Sequence, residues 1–278
     1  MNDYRDYSIS TFSLIGLPLK DALLELVEKG WRSIELMCED RHRELLFWSN
    51  RELGLLKELG ESHGIEWTLH APIHGLNPGA LAVREIEESK RLLLRAADIA
   101  SRLDCRYVVL HCGLLPPESD DADSELRERE ALRRCIAFLR EILARTERQG
   151  IRFALENVPP YPDTLGSKVD FILEITEAVG DPRLRIVFDV AHAHLLGEGR
   201  CVGELQKVLP QLVGLHINDN PGDSDSHLAV GDGSIPFPTV VKLVEDSGLP
   251  VNWTLETCRP DYADQSAARL RSLRGMLG

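Results

Sequence analysis

The chain has 278 residues, of which 43% are hydrophobic, and its formal net charge is −13. This length suits one α/β barrel, and the hydrophobic fraction excludes a disordered chain. The negative charge disfavours nucleic acid as a partner, and no stretch approaches the ~20 apolar residues of a membrane-spanning helix. The start MNDYRDYSIS lacks the basic and apolar regions of a signal peptide, so we expect a cytoplasmic protein without a membrane partner.

Short apolar strands alternate with longer helical patterns along the whole chain. The first strand is YSISTF, and the helix after it ends at Gly30. The third helix, from about Ala80 to Leu103, carries its apolar residues on one face, as does the fourth helix, which stops before Gly150. In chain order, the remaining strands are RSIEL, IEWTLH, RYVVLH, RFALEN, RIVFDV, LVGLHI and NWTLET.

Eight β/α units of this kind predict a single (β/α)8 TIM barrel domain over residues 1–278. The competing architecture is a doubly wound open sheet. That fold would need a glycine-rich phosphate fingerprint after the first strand, and FSLIGLPL does not supply one. The barrel is therefore the preferred prediction.

From the third strand onward, each predicted strand ends in a histidine or a carboxylate. These residues are His70, His111, Glu156, Asp189, His216 and Glu256. Such side chains are costly to bury without a partner, and barrel active sites lie at the carboxyl ends of the strands. We therefore expect the six side chains to converge at one end of the barrel.

Three further candidates lie close by in the sequence. His192 follows Asp189 at a spacing of three, which places both on one face if the chain is helical there. Asp225 and His227 are two residues apart after the seventh strand, so in an extended loop they point the same way.

Electrostatics predicts a metal at this cluster. Four carboxylates held close together cannot all stay ionised without a cation. A mixed set of histidines and carboxylates suits Zn, Mn, Fe or Co better than Mg or Ca. We expect one to three divalent ions, with Zn, Mn or Co as the candidates.

Other polar residues receive less specific interpretations. Four histidines are interpreted as surface imidazoles or as supports behind the ligands: His42, His63, His74 and His194. Glu35 ends the second strand and is either a support for the ligands or a structural partner. The acidic run around Asp120 is interpreted as a solvated helix start. The glycines of GDGSIP either offer N–H groups to a phosphate or form a tight turn, and Arg259 is the cation placed to meet an anion.

These motifs resemble the xylose isomerase-like TIM barrels, a superfamily that includes sugar isomerases and epimerases as well as the endonuclease IV class of abasic-site nucleases. The resemblance covers nearly the whole chain. Its most specific pieces are LHAP, LHCG, LEN, FDVAHAHLLGEG, HINDN, DSHLAVGDGSI and LET.

In the isomerase and epimerase branch, the resemblance implies a site for one metal ion. Its ligands would be Glu156, Asp189, His216 and Glu256. The two glutamates would also move protons through a metal-stabilised enediolate, and His192 would bind substrate. No lysine lies at a strand end, which disfavours Schiff-base chemistry and the lysine-assisted hydride shift of xylose isomerase.

In the nuclease branch, the resemblance implies a trinuclear zinc cluster with nine ligands, all present: His70, His111, Glu156, Asp189, His192, His216, Asp225, His227 and Glu256. The predicted rim loops argue against DNA, however. PIHGLNPGAL and NDNPGDSDSHLAVGDG contain no Lys or Arg, and Ile73 stands where the nucleases have an aromatic DNA contact.

The preferred interpretation is a metal-dependent isomerase or epimerase of a sugar, sugar phosphate or hydroxy-keto acid. Its partner would be a small carbohydrate-like substrate, with nucleic acid disfavoured and a homodimer possible. The abasic-site endonuclease is the alternative. Other metal-dependent lyases or hydrolases, and a metal-binding barrel without catalysis, remain open.

Overall fold

In the computed structural model, which describes residue 4 and residues 6–115 and 124–277, eight parallel strands close into one barrel in chain order. The strands are β1 Ser8–Ser10, β2 Ser33–Met37, β3 Glu66–His70, β4 Val108–Leu110, β5 Phe153–Glu156, β6 Leu184–Asp189, β7 Leu212–Ile217 and β8 Asn252–Leu255. The predicted single (β/α)8 TIM barrel is therefore confirmed. The acidic run around Asp120 lies outside the described residues.

Helices surround this barrel. They are α1 Leu19–Lys29, α2 Asn50–His63, α3 Val83–Arg102, α4 Ser124–Arg145, α5 Val169–Val179, α6 Val190–His194, α7 Arg200–Val208, α8 Phe237–Ser247 and α9 Pro260–Leu277. Short 3-10 turns cover Thr11–Leu14, Asp40–Phe47, Glu147–Gln149 and Leu209–Gln211. No helix in the described ranges is long and apolar enough to cross a membrane.

Local sequence signals explain where the helices begin and end. Ser49 and Glu52 form a reciprocal capping box at the start of α2. Gly30 and Gly64 end α1 and α2 in the left-handed conformation that glycine adopts without strain. The predicted third helix began at about Ala80, whereas α3 begins at Val83.

The inside of the barrel is built from alternate residues of each strand, as the pleat requires. On one side, its middle layer is polar and buried, with Ser8, Glu35, Thr68 and Thr254. On the other side it is apolar, with Val109, Ala154 and Val187 packed together. The next inward-facing position, two residues further along each strand, lies at the carboxyl end of the barrel with the predicted site residues.

Tyr107 closes the amino end of the barrel. It is buried, packs against Val109 and Val187, and accepts a hydrogen bond from Asn252 Nδ2 at 3.1 Å. Gly214 leaves room for its hydroxyl, because a Cβ at that position would collide with the Tyr107 oxygen. The floor of the barrel is thus filled by side chains rather than forming a pore.

Candidate active site

The six predicted strand-end residues converge at the carboxyl mouth of the barrel. Five of them are buried, and the His111 side chain is 14% exposed. Strand register brings neighbours side by side, since Asp189 pairs with His216 and Glu156 pairs with Val187. The predicted convergence is therefore observed.

The nine candidate ligands form three groups, and within each group the ligand atoms lie within 4.8 Å of one another. The strand-end group is Glu156, Asp189, His216 and Glu256; the loop group is His192, Asp225 and His227; and the two-histidine group is His70, His111 and Glu156. Glu156 belongs to two of these groups, so its carboxylate connects them.

Most of the site histidines are oriented by a partner on one ring nitrogen. His70 Nδ1 donates to the Ala71 carbonyl at 2.7 Å, His192 Nδ1 to the Asn157 carbonyl at 2.8 Å, and His227 Nδ1 to the Glu256 carbonyl at 2.7 Å. In each case the other nitrogen, Nε2, faces a site carboxylate. This arrangement holds a histidine ring in place for a metal.

His216 is held from below by Glu35. The Glu35 Oε2 atom lies 3.2 Å from His216 Nε2, and both side chains are fully buried. On its other side, His216 Nδ1 lies 2.8 Å from both Glu156 Oε1 and Glu256 Oε2. Glu35, for which the sequence left two interpretations open, therefore contacts a candidate ligand directly.

Asp189 is both a candidate ligand and the N-cap of α6. Its Oδ1 accepts the His192 N–H at 2.7 Å, and its Oδ2 accepts from Asn218 Nδ2 at 3.2 Å. The short helix confirms the predicted geometry, since His192 Nδ1 lies 3.7 Å from Asp189 Oδ1. Asn157 fixes the backbone by exchanging two hydrogen bonds of 2.9 Å with Asp189. Sequence reasoning missed Asn157 and Asn218, although each follows a site residue closely in LEN and HIN.

The loop after β7, residues 219–235, carries Asp225 and His227 and is tied together at its base by Asp219. The fully buried Asp219 carboxylate accepts the N–H groups of Asn220, Gly231 and Ile235 at 2.9, 2.7 and 3.2 Å. His227 adopts φ +47°, a left-handed conformation that is rare outside glycine. Such strain concentrates at functional sites.

Strong fields act inside the cluster. Burial opposes protonation of His70, but its hydrogen bond to Glu156 and the charges of nearby glutamates outweigh this and raise its pKa to about 9. Against the same burial penalty, Asp189 and Asp225 raise the pKa of His192 to about 10. Burial, helped by the charges of Glu156 and Glu256, raises the pKa of Asp189 to about 6. Without a metal, protons on the histidines offset the negative charge of the carboxylates. A metal ion bound to these ligands would displace the protons.

A cavity of about 460 Å³ opens directly above the cluster. Its inner end reaches seven of the nine candidate ligands, all except Asp189 and His216. Its outer wall combines apolar side chains with acids. Phe12 and Ile73 are apolar, and Glu39, Asp40 and Glu85 are the acids. Sequence reasoning missed most of this wall, because it comes from loops and a helix end that carry no periodic signal.

The structure favours neither of the two anion contacts that the sequence suggested. The Arg259 guanidinium forms two bonds of 2.9 Å to Asp261 and does not line the cavity. In GDGSIP, the Gly231 and Ile235 N–H groups bind Asp219, so the tight-turn interpretation holds. His42 and His194 are buried rather than on the surface, bonded to Thr11 and Ser234 respectively.

Comparisons with known proteins agree with this architecture. The sequence profile of xylose isomerase-like TIM barrels matches residues 23–273. The crystal structure of a D-tagatose 3-epimerase-like protein superimposes with a TM-score of 0.86, at 27% identity over 98% of each chain.

Two curated relatives cover most of the chain. The uncharacterized protein MJ1311 of Methanocaldococcus jannaschii is 29% identical over 246 residues, which are 87% of this chain and 81% of the relative. Fructoselysine 3-epimerase of Escherichia coli O157:H7 is 24% identical over 277 residues, covering 92% of this chain and 94% of the relative. The chain belongs to the xylose isomerase-like TIM barrel family.

Proposed function

We propose that the chain is a metal-dependent epimerase or isomerase of a sugar. The observation that carries this proposal is the placement of Glu156 and Glu256 at the inner end of the cavity, where one carboxylate oxygen of each lies 2.8 Å from His216 Nδ1. Two acids brought to one point from β5 and from the end of β8, which are not adjacent in the barrel, suit the removal and return of a proton. The epimerases among the structural and sequence neighbours support the same chemistry.

The strand-end group fits a divalent ion. It offers three carboxylates and one imidazole, a donor set that suits Mn, Co or Zn. Glu256 Oε2 is buried and has no hydrogen-bond donor, although His216 Nδ1 is close to it. When bound there, an ion would polarise a substrate carbonyl and its neighbouring hydroxyl.

The chain's own groups would perform the proton transfer. One of Glu156 and Glu256 takes the proton from the carbon beside the carbonyl, which leaves an enediolate. The other glutamate returns a proton from the opposite face, which inverts that carbon. The transfer balances when the accepting glutamate starts ionised and the returning glutamate starts protonated. The charge of His216 holds the pKa values of both glutamates below the usual range against the burial penalty, which favours the ionised form that accepts the proton.

His192 and the cavity wall would orient the substrate. His192 Nε2 lines the cavity while its Nδ1 is held by Asn157, so the imidazole presents a fixed edge to a sugar hydroxyl. Phe12 and Ile73 provide apolar surface beside the acids and exclude water from the reacting carbon.

The test is turnover of ketoses in D2O by protein reconstituted with Mn, Co or Zn. We expect an epimeric or isomeric product that carries deuterium at the carbon where configuration changes. Protein with Glu256→Gln is the matched control and should give neither product nor deuterium. A product without deuterium, or no product from a broad ketose panel with any of the three metals, would contradict the proposal.

A second candidate is a zinc-dependent abasic-site phosphodiesterase. The loop group and the two-histidine group favour it, because a single-ion epimerase does not need His70, His111, Asp225 or His227 as ligands. Metal analysis separates the candidates. About one equivalent of metal with ketose turnover supports the epimerase, whereas three equivalents of zinc with cleavage of an abasic duplex would support the nuclease.

A further inference from the structure

The cavity above the candidate site is lined by acids without a cation. In the described ranges, no Lys or Arg lines it, whereas Glu39, Asp40 and Glu85 stand on its outer wall. The segment 116–123, PPESDDAD, whose structure is not described, contains no Lys or Arg either. An ion at the strand-end group would offset part of the charge of its three carboxylates and would add no cation at the outer wall.

The outer acids differ in how far they are neutralised. Glu39 is engaged: it accepts the Ile73 and His74 N–H groups at 2.7 and 3.2 Å, and Arg43 lies 3.7 Å from it. Asp40 is exposed, and Glu85 accepts only a neutral hydrogen bond from Asn77 Nδ2 at 3.0 Å. The wall therefore keeps a negative potential toward the substrate.

At the position where this fold often binds phosphate, a carboxylate of the protein itself takes the place of the anion. Barrels often bind phosphate through backbone N–H groups in the loops after the seventh and eighth strands. Here the Asp219 carboxylate accepts three such N–H groups, from Asn220, Gly231 and Ile235. Asp219 has no exposed surface, so a substrate phosphate cannot replace it without opening the loop.

We propose that the substrate is a sugar without a phosphate group, and that sugars bearing an amine bind more tightly than neutral ones. This inference rests on the proposed sugar epimerase or isomerase function and concerns the same cavity. The ranking follows from Coulomb's law at the outer wall, where the exposed Asp40 and Glu85 attract an ammonium and repel a phosphate.

The test uses three unreactive polyols, so that binding is measured apart from turnover. They are D-mannitol, D-mannitol 1-phosphate and 1-amino-1-deoxy-D-mannitol. Because the two ends of mannitol are equivalent, a substituted polyol can enter with its unsubstituted end first and leave the substituent in the outer cavity. We expect calorimetry on the metal-loaded protein to rank amine above mannitol above phosphate, with each step about tenfold in Kd.

A charge-removing variant shows which residues set this ranking. Asp40→Asn/Glu85→Gln keeps both shapes, and asparagine tolerates the φ of +44° at position 40. The ratio of amine to mannitol affinity should fall toward one in this variant. The control Glu61→Gln/Glu88→Gln removes the same charge from helix surfaces outside the cavity and should keep the ratio.

The outcomes separate the two proposals. Phosphate binding more tightly than mannitol, an amine without advantage, or no binding of either uncharged or aminated polyol would overturn the inference. Failure of ketose turnover with the expected ranking intact would overturn the epimerase proposal and leave the charge preference standing. An unchanged ratio in Asp40→Asn/Glu85→Gln would contradict the role of these two acids.

Discussion

The strand-end group and the loop group are built on different kinds of support. Glu156, Asp189, His216 and Glu256 are buried at the ends of neighbouring strands, held by the barrel ladder and by Glu35 and Asn157. In the loop group, Asp225 and His227 lie on residues 219–235, with side chains 14% and 13% exposed. Rigid strands position ligands more precisely than loops do.

This difference indicates a division of roles. The strand-end group contains the two glutamates suited to proton transfer, and its geometry is fixed by the fold. Two of the three loop-group residues, Asp225 and His227, depend on one loop tied at Asp219, so they can change without disturbing the barrel. The third, His192, lies on α6. The following predictions test whether the two groups are as separable as their supports suggest.

The largest effect is expected in the strand-end group. Glu156→Gln and Glu256→Gln should each lower kcat by about 10²–10⁴-fold, because an amide cannot accept the proton. Metal binding should be partly retained, since the amide oxygen remains a ligand atom. Steady-state kinetics with metal analysis of the same samples makes the measurement. Full activity in either variant would contradict the proton-transfer roles.

A smaller effect is expected beneath this group. Glu35→Gln should weaken metal affinity by about 10–100-fold, because the carboxylate that orients His216 becomes a neutral amide. Competition with a chelator measures the affinity. The matched control Glu66→Gln changes an exposed residue that pairs with Arg106 and should leave it unaltered. Equal affinities in the Glu35 variant and the unsubstituted protein would show that Glu35 is only structural.

A still smaller effect on sugar turnover is expected in the loop group. His227→Gln removes one of the three ligands there, so any ion held by that group should be lost, while kcat for a ketose falls by about tenfold or less. Metal analysis and steady-state kinetics on the same preparation test both expectations. Loss of all bound metal would mean that the two groups are not separable. Abolition of phosphodiester cleavage with ketose turnover absent would favour the nuclease.

The smallest effect concerns pH and stability. The pKa values of His70 and His227 are raised to about 9 in the metal-free fold, against the burial penalty, chiefly by Glu156 and Asp225 respectively. A raised histidine pKa stabilises fully below about pH 6.5, its unfolded value, and this stability is lost as pH rises through 9. Metal-free protein should therefore lose Tm by a few degrees, on the order of 2–4 °C per kcal/mol, between pH 6.5 and 9.5.

The metal-loaded protein provides the comparison for this pH series. Metal binding displaces the same protons, so its affinity should rise over the same pH range and the Tm difference between loaded and metal-free protein should grow. A metal-free Tm that increases from pH 6.5 to 9.5 would contradict the assigned histidine environments.

Much of the fold and of the inner site could be predicted from the sequence. The alternation of apolar strands and amphipathic helices indicated eight units. A polar residue at the end of a buried strand, such as Glu156, can be recognised as a site candidate because a buried polar side chain needs a partner. Asp189 and His192 were predicted to face one another because their spacing of three is a helical one. These signals are local and periodic.

The remaining features depend on contacts distant in sequence. No spacing relates Asp219 to Gly231 and Ile235, so the loss of the anion site in GDGSIP was not predictable. The outer wall combines Glu39 after β2 with Glu85 at the start of α3, and only the folded chain brings them to one cavity. Arg259 is the exception, because its partner Asp261 is only two residues away but no sequence pattern assigns the pair.

Tyr107 fills the amino end of the barrel, and this affects how hydrogen isotopes exchange at the candidate site. With that end filled, hydrogen on Glu156 or Glu256 can exchange with bulk solvent only through the mouth, which a seated sugar would occupy. Exchange is then confined to the interval between product departure and the next arrival. Product should accumulate solvent label, whereas sugar that leaves unreacted should keep its original hydrogen.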